Sequence, residues 1–245
     1  MPTLTRIPIN GQKFYIGGTP LDQPTTDLAE SDFAAYSWTE VQGWRTSAAV
    51  GDTRASIAVA EINSPRDFVI SGTLNGGTQE QAFNSIPGDA GQAAMLAAQV
   101  AGYNYPFKVV WPARNAPRSA TVTITIASPG VFTWTAHGLA VDTAIKFTTT
   151  GALPTGLTAG TTYYVKTVPT ADTFTVSATV GGTAVNTSST QSGTHTATTV
   201  PSGEERKFVG IVMSAIEQGG EVNALMGVTY SLAVNSNIVK KAALY

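Results

Sequence analysis

From Val222 onward every second residue is Val222, Ala224, Met226, Val228, Tyr230, Leu232 and Val234, and the residues between are Asn223, Leu225, Gly227, Thr229, Ser231 and Ala233. Successive side chains on a strand point to opposite faces, so this period of two predicts extended chain with one apolar face and one face of mostly small residues. The run outlasts an ordinary strand of about five or six residues. It predicts one long strand, or two collinear strands meeting at a bulge near Gly227. Long two-faced strands build barrels and extended walls, and that sets the fold class: mainly β.

Further strands are expected at Lys13–Ile16, Ala34–Val41, Ser56–Glu61, Asp67–Leu74, Pro106–Trp111 and Lys207–Ala215, with Gly-rich or Pro-containing turns between them. One helix interrupts the series. Asp89 can cap it, Gly102 can end it, and Ala93, Leu96, Ala97, Val100 and Ala101 form a stripe at helical spacing that is expected to pack on a sheet.

Composition changes sharply at about Arg118 and again at about Val200. The segment between is rich in Thr, which suits exposed strand faces, and Pro112, Pro117 and Pro201-Ser202-Gly203 mark its borders. Residues 118–200 are expected to form a small all-β domain, Ig-like or a small barrel, inserted into a domain made of residues 1–117 and 201–245. Its inward residues are expected to be Val122, Ile124 and Ile126, then Phe132 and Trp134, Ile145 and Phe147, Tyr163 and Val165, Phe174 and Val176. Tyr164 lies on the opposite parity and is the candidate outward-facing recognition aromatic.

The residues offer little to chemistry. No cysteine is present, which removes disulfides, zinc–thiolate sites and thiol nucleophiles. His137 and His195 are the two imidazoles; a turn cap is the expected role for His137, and no catalytic residue, cofactor site or metal site is assigned. No G-x-S-x-G elbow, phosphate-cradling loop or dinucleotide fingerprint occurs. Charged residues make up 12% of the chain and the net charge is −2, with Lys240-Lys241 the densest basic feature. Tight binding to a nucleic-acid backbone needs clustered cations, so it is not expected. Asp22, Asp27, Glu30, Asp32 and Glu40 fall between Lys13 and Arg45 without a base among them and are read as a solvated acidic loop. No apolar signal-like segment occurs in Met1–Asn10, and the apolar stretch Ala93–Ala101 is too short to span a bilayer.

Several strings, in order, resemble the tail tube subunits of siphophages: Trp38-Thr39-Glu40-Val41, Gly51-Asp52, Asp67-Phe68-Val69-Ile70-Ser71-Gly72-Thr73, the helix opening Asp89-Ala90-Gly91-Gln92, Tyr105-Pro106-Phe107-Lys108, Phe208-Val209-Gly210-Ile211 and Val234-Asn235-Ser236-Asn237. They cover most of residues 36–112 and 206–239, while residues 1–35 carry no part of the resemblance. The insert is similar to a Thr/Gly-rich β module of phage structural proteins through His137-Gly138-Leu139, Phe147-Thr148-Thr149-Thr150-Gly151 and Gly160-Thr161-Thr162-Tyr163-Tyr164-Val165.

The resemblance implies a tail-tube-like β-sandwich or barrel with one helix, and a structural, non-enzymatic virion protein. Copies would form hexameric rings whose sheets join edge to edge, and rings would stack into a conduit for genome DNA, which passes without specific binding. The implied partners are further copies and other phage tail proteins, with assembly in the bacterial host cytoplasm and a final place in the phage tail. The alternative is a phage receptor- or carbohydrate-binding β protein whose insert carries recognition. For ring stacking the candidate residues are Trp44, Arg45, Asp52 and Arg54, read as polar loop after Val41. Charge reversal at Arg45 or Arg54 is expected to stop polymerisation and leave the fold intact, which negative-stain microscopy beside circular dichroism checks.

Overall fold

The computed structural model describes residues 10–63, 65–221 and 224–244. The chain runs through β1 (Lys13–Gly17), a 3-10 turn at Glu30–Phe33, β2 (Trp38–Val41), β3 (Trp44–Thr46), β4 (Thr53–Val59), β5 (Phe68–Asn75) and β6 (Thr78–Asn84). Helix α1 (Ala90–Ala101) and β7 (Asn104–Val110) follow. Then come β8 (Ser119–Ile124), β9 (Phe132–Thr133), β10 (Ala144–Thr149), β11 (Thr162–Thr167), β12 (Thr173–Ser177) and β13 (His195–Val200). The last three strands are β14 (Glu205–Gln218), β15 (Gly227–Val234) and β16 (Val239–Lys241). The fold is mainly β, with one α-helix among the described residues.

Two compact units divide the chain: Pro112–Glu204 belongs to one, and Glu205–Lys241 joins Pro8–Trp111 in the other. In the latter, β7 and β14 pair antiparallel from Val110↔Glu205 to Asn104↔Ile211, so the intervening stretch leaves and returns at adjacent strand ends.

The outer unit's sheet has the order β2-β1-β7-β14-β15-β6-β3, with β16 also on β14. Its two terminal strands are separated in sequence by Gln42 and Gly43 alone, so the sheet must curl until its ends nearly meet. Gly43 makes the corner at φ +79, with the Asn84 carbonyl oxygen 2.6 Å from where a Cβ would stand. Inside the curl, Phe14, Phe83, Phe107 and Phe208 are fully buried, Phe14 lying 5.8 Å from both Phe83 and Phe107 between ring centroids. Burial of each such ring stabilises the fold by about 2 kcal/mol.

Helix α1 covers the corner. Asp89 caps it by accepting from the Gln92 N–H at 2.8 Å, and Gly102 ends it in the left-handed region at φ +66, as the sequence predicts. The buried face is not the predicted stripe. Gly91, Gln92, Met95 and Ala98 face inward, while Leu96 and Val100 are 52% and 78% exposed. Backbone satisfaction explains the rotation. The Gln92 side chain donates to the carbonyls of Gln42 (2.9 Å) and Asn84 (2.8 Å) and accepts from the Ile86 N–H (3.2 Å), filling groups that no strand reaches. At Gly91 a Cβ would lie 2.2 Å from the Glu40 carbonyl oxygen, so the helix touches β2 backbone to backbone.

Other expectations need correcting. β15 starts at Gly227 rather than Val222; Val222 and Asn223 lie outside the described residues, and Leu225 and Met226 are exposed in the turn before the strand. Within β15 the alternation holds, with Val228, Tyr230, Leu232 and Val234 buried. The long strand is β14, bulged between Val212 and Ser214. Of Ala34–Val41 only Trp38–Val41 is strand, because a turn at Ala34 and Ala35 follows the 3-10 segment and takes up the approach.

The inserted unit is a closed barrel of order β10-β11-β12-β9-β8-β13. Phe132 stacks on Phe147 at 4.8 Å and on Phe174 at 5.4 Å, and Val122, Ile124, Ile145, Trp134, Tyr163, Val165 and Val176 are buried with them. Ile126 departs from the expectation: β8 ends at Ile124, before the turn at Ala127–Gly130, and leaves Ile126 49% exposed. Hydroxyls pair across the strands, as at Ser119 with Thr198 (2.8 Å) and Thr167 with Thr175 (2.7 Å), which keeps a surface of few charges hydrated and ordered.

Gly91→Ala is expected to force α1 off β2 and to cost about 2 kcal/mol, as overpacking does. A lowered thermal transition with an unchanged far-ultraviolet spectrum in the cold is the expected outcome.

Candidate assembly surfaces

Two features of the outer unit are unfinished as they stand in a single chain. β14 is paired by β7 on one edge only from Glu205 to Ile211, and by β16 and then β15 on the other edge out to Gln218. From Val212 to Gln218 no described strand meets the β7 side. The cause is local: β7 begins at Asn104, two residues after the cap of α1, so the residues that would extend the pairing past Ile211 belong to the helix and its cap. At the far side, β3 pairs with β6 alone. The four strands β14-β15-β6-β3 thus carry an open edge at each side. Their outer face holds Thr78, Glu80 and Ala82 of β6, Thr229, Ser231 and Ala233 of β15, and Ile216 of β14.

The second feature is the β4–β5 ribbon, a two-stranded sheet of its own. Cross-strand pairing sets Ile57 beside Ile70 and Val59 beside Phe68, so these four share a face. Ile57 (49%), Phe68 (44%) and Ile70 (47%) are exposed, and Val69 on the opposite face is 65% exposed. A lone hairpin is marginal in water, and exposed apolar groups of this size mark contact surfaces.

The segment read as polar loop after Val41 therefore holds strands β3 and β4. Trp44 packs on the core rim: its ring is 5.5 Å from Phe14, and its Nε1 donates to Gln81 Oε1 at 3.1 Å. Arg45 is exposed and donates to Gln218 Oε1 at 3.4 Å, while Gln218 Nε2 donates to Thr229 Oγ1 at 3.0 Å, which puts Arg45 at the end of the outer face of the four strands. Arg54 sits on the ribbon, donating to the Gly72 carbonyl at 3.4 Å. Asp52 leads into β4 and lines an open cleft of about 460 Å³ with Asp27, Asn75 and Asn237. The four candidates fall on different surfaces and form no single site. Tyr164 is half-buried on β11, opposite in parity to the buried Tyr163 and Val165. The strands expected at Ser56–Glu61 and Asp67–Leu74 are the two strands of this ribbon; what the sequence reading did not foresee is that they pair only with each other and leave Ile57, Phe68, Val69 and Ile70 exposed.

The acidic stretch is less solvated than its composition suggests. Lys207, almost fully buried on β14, pairs with Glu30 and with Glu205 Oε2 (2.9 Å), Lys241 approaches Glu30 at 3.5 Å, and Glu40 pairs with Lys13 at 2.9 Å. Asn237 adds to this by accepting from the Leu28 N–H (2.7 Å) and donating to its carbonyl (3.0 Å). One strand over, burial holds Lys108 below the ordinary lysine pKa, with nearby Glu205 opposing; its ammonium lies 4.5 Å from the Tyr15 ring and 4.8 Å from the Trp38 ring. These contacts tie the segment before β2 onto the sheet.

His137 Nδ1 accepts from the Leu139 N–H at 2.9 Å and caps its own turn, and His195 Nδ1 meets Thr149 Oγ1 at 2.9 Å. Among the described residues no group of three His, Cys, Asp or Glu is placed to hold a metal, and no helix is long and apolar enough to cross a membrane. No protein-family model and no curated protein matches this chain.

Lys207→Met takes from Glu205 its cation and leaves Glu30 with the more distant Lys241 alone, and it is expected to destabilise the outer unit by about 2 kcal/mol, as losing one partner of a buried ion pair does when the other side is partly solvated. A lower urea midpoint is the measurement.

Proposed function

We propose that this protein is a structural subunit that assembles with copies of itself into stacked rings, forming the tail tube of a long-tailed bacteriophage. The observation that carries the reading is the open edge of β14 from Val212 to Gln218, matched by the open edge of β3 at the other side of the same four strands. An edge exposing backbone N–H and C=O groups is completed at least cost by another antiparallel strand. Joined head to tail, successive copies close a barrel, and closure removes both of these edges at once.

The outer face of those strands suits the wall of a conduit. Its side chains are mostly Thr, Ser and Ala, with Glu80 as a repelling charge and Arg45 held at one end by Gln218. Such a surface has no basic cluster with which to grip phosphates, so a duplex slides rather than sticks. The inserted barrel is complete in itself, and in this reading it decorates the tail.

The test is the double variant Ser214→Lys/Ile216→Lys, which sets two cations along the open edge. Wild-type protein is expected to give rings or tubes by negative-stain microscopy, and the variant single particles with the wild-type circular dichroism spectrum. Wild-type protein that stays monomeric when concentrated, or a variant that still closes rings, overturns the reading.

A further inference from the structure

Among the described residues Lys207 is the one Lys, Arg, Asp or Glu that is buried. It lies on β14 between β7 and β16, and its Nζ meets Oε1 of Glu30 and, at 2.9 Å, Oε2 of Glu205. Glu30 Oε1 has a second cation, Lys241, at 3.5 Å, while Glu30 Oε2 is buried without a hydrogen-bond partner. A carboxylate oxygen left bare in the interior is costly, and a buried ion pair gains little over a neutral contact of the same shape. The backbone holds both groups in place. Strands flank Lys207 on both sides, and Glu30 is fixed between Leu28, bonded to Asn237, and Phe33, buried against Trp38.

An amine set against a carboxyl, with a second carboxylate on the amine and a cation on the carboxyl oxygen, is the arrangement that amide formation needs. We propose that Lys207 and Glu30 join through an isopeptide bond that the protein makes by itself. The Nζ–Cδ bond forms and the Cδ–Oε2 bond breaks. Two protons of the Lys207 ammonium leave with that oxygen as water, Glu205 taking each from the nitrogen and passing it on. Lys241 stabilises the negative charge that gathers on Oε1 as Nζ adds. Free amines and carboxylates in water do not condense; held in contact, they react at effective molarities that reach roughly 10⁵–10⁸ M.

The bond leaves the cluster balanced. The amide N–H donates to Glu205, the retained Oε1 accepts from Lys241, and the oxygen that had no partner is gone. Glu205 and Lys241, opposite each other on β14 and β16, remain as one anion and one cation. The link ties the segment before β2 to β14 across 177 residues of chain, in a protein that has no cysteine and so no disulfide for the purpose.

The bond lies within one chain, so the test is the mass of the wild-type protein, and its outcome leaves the ring reading untouched. Protein stored folded in neutral buffer and then denatured is expected to weigh one water less than its sequence. A tryptic digest is expected to hold a branched peptide joining the segment around Glu30 to the one around Lys207. Full sequence mass after such storage overturns the proposal. Lys207→Arg keeps the charge and is expected to carry the full mass; water loss in that variant places the dehydration elsewhere and overturns the proposal too. Glu205→Gln is expected to join about 100-fold more slowly, read as the share of the lighter mass over time. Joining at the wild-type rate overturns the part given to Glu205.

Discussion

The amide of Gln92 holds the outer unit together at its weakest point. Curling the sheet brings β2 and β3 within two residues of each other, yet the carbonyls of Gln42 and Asn84 find no strand to accept from. An unpaired buried carbonyl costs as much as a lost hydrogen bond, and one side chain on a helix supplies both donors. That requirement fixes the rotation of α1 about its own axis: Gln92 must face in, Gly91 must touch β2, and Met95 and Ala98 follow one and two turns later. What remains for solvent is the apolar side of the helix. Leu96 and Val100 are exposed because a polar residue is needed inside, not because the protein lacks a place to bury them.

The same logic separates the two units. The inserted barrel pairs its strands in a closed ring and fills the interior with Phe132, Phe147 and Phe174, so its backbone and its core are complete within one chain. In the outer unit the chain emerges from α1 into β7 too late to cover the second half of β14. A sheet that stops pairing halfway along its longest strand retains capacity for another strand, and that is the feature on which the proposed assembly depends.

Much of this was legible in the residues. The mainly-β class follows from period-two runs in β8, β10, β11 and β15, and the helix from Asp89 and Gly102, whose capping roles depend only on local backbone geometry. Orientation was harder. Apolar spacing ranked Leu96 and Val100 as inward, since a pattern cannot reveal that two carbonyls at a distant corner require Gln92. Strand ends were equally opaque: Ala224–Met226 continues the alternation on paper, but β14 stops pairing at Gln218↔Gly227, and beyond that point β14 no longer aligns it. The ion pairs of Glu30 and Glu40 depend on Lys207 and Lys13, and the Glu30–Lys207 pair joins residues far apart in sequence. Composition sees the charges and misses the partners.

A protein with an open edge and a bare apolar ribbon should aggregate, unless its contacts are too particular to be satisfied by chance. Three details act in that direction. The open stretch of β14 begins at the bulge between Val212 and Ser214, and a bulge strengthens local twist, which works against the flat stacking of amyloid-like sheets. Arg45 and Gln218 close the end of the stretch with polar groups that a mismatched strand would have to bury. The ribbon's large apolar side chains sit mainly on one of its faces, the other carrying Ala58, Val69, Ser56 and Ser71, so an approaching copy is rewarded in one orientation and not in its mirror. With charged residues at 12% of the chain, long-range repulsion is weak, and selection among contacts falls to shape and register. Dense packing of identical copies then follows from geometry, and the scarcity of charge that looks hazardous in a monomer becomes the condition that lets copies approach.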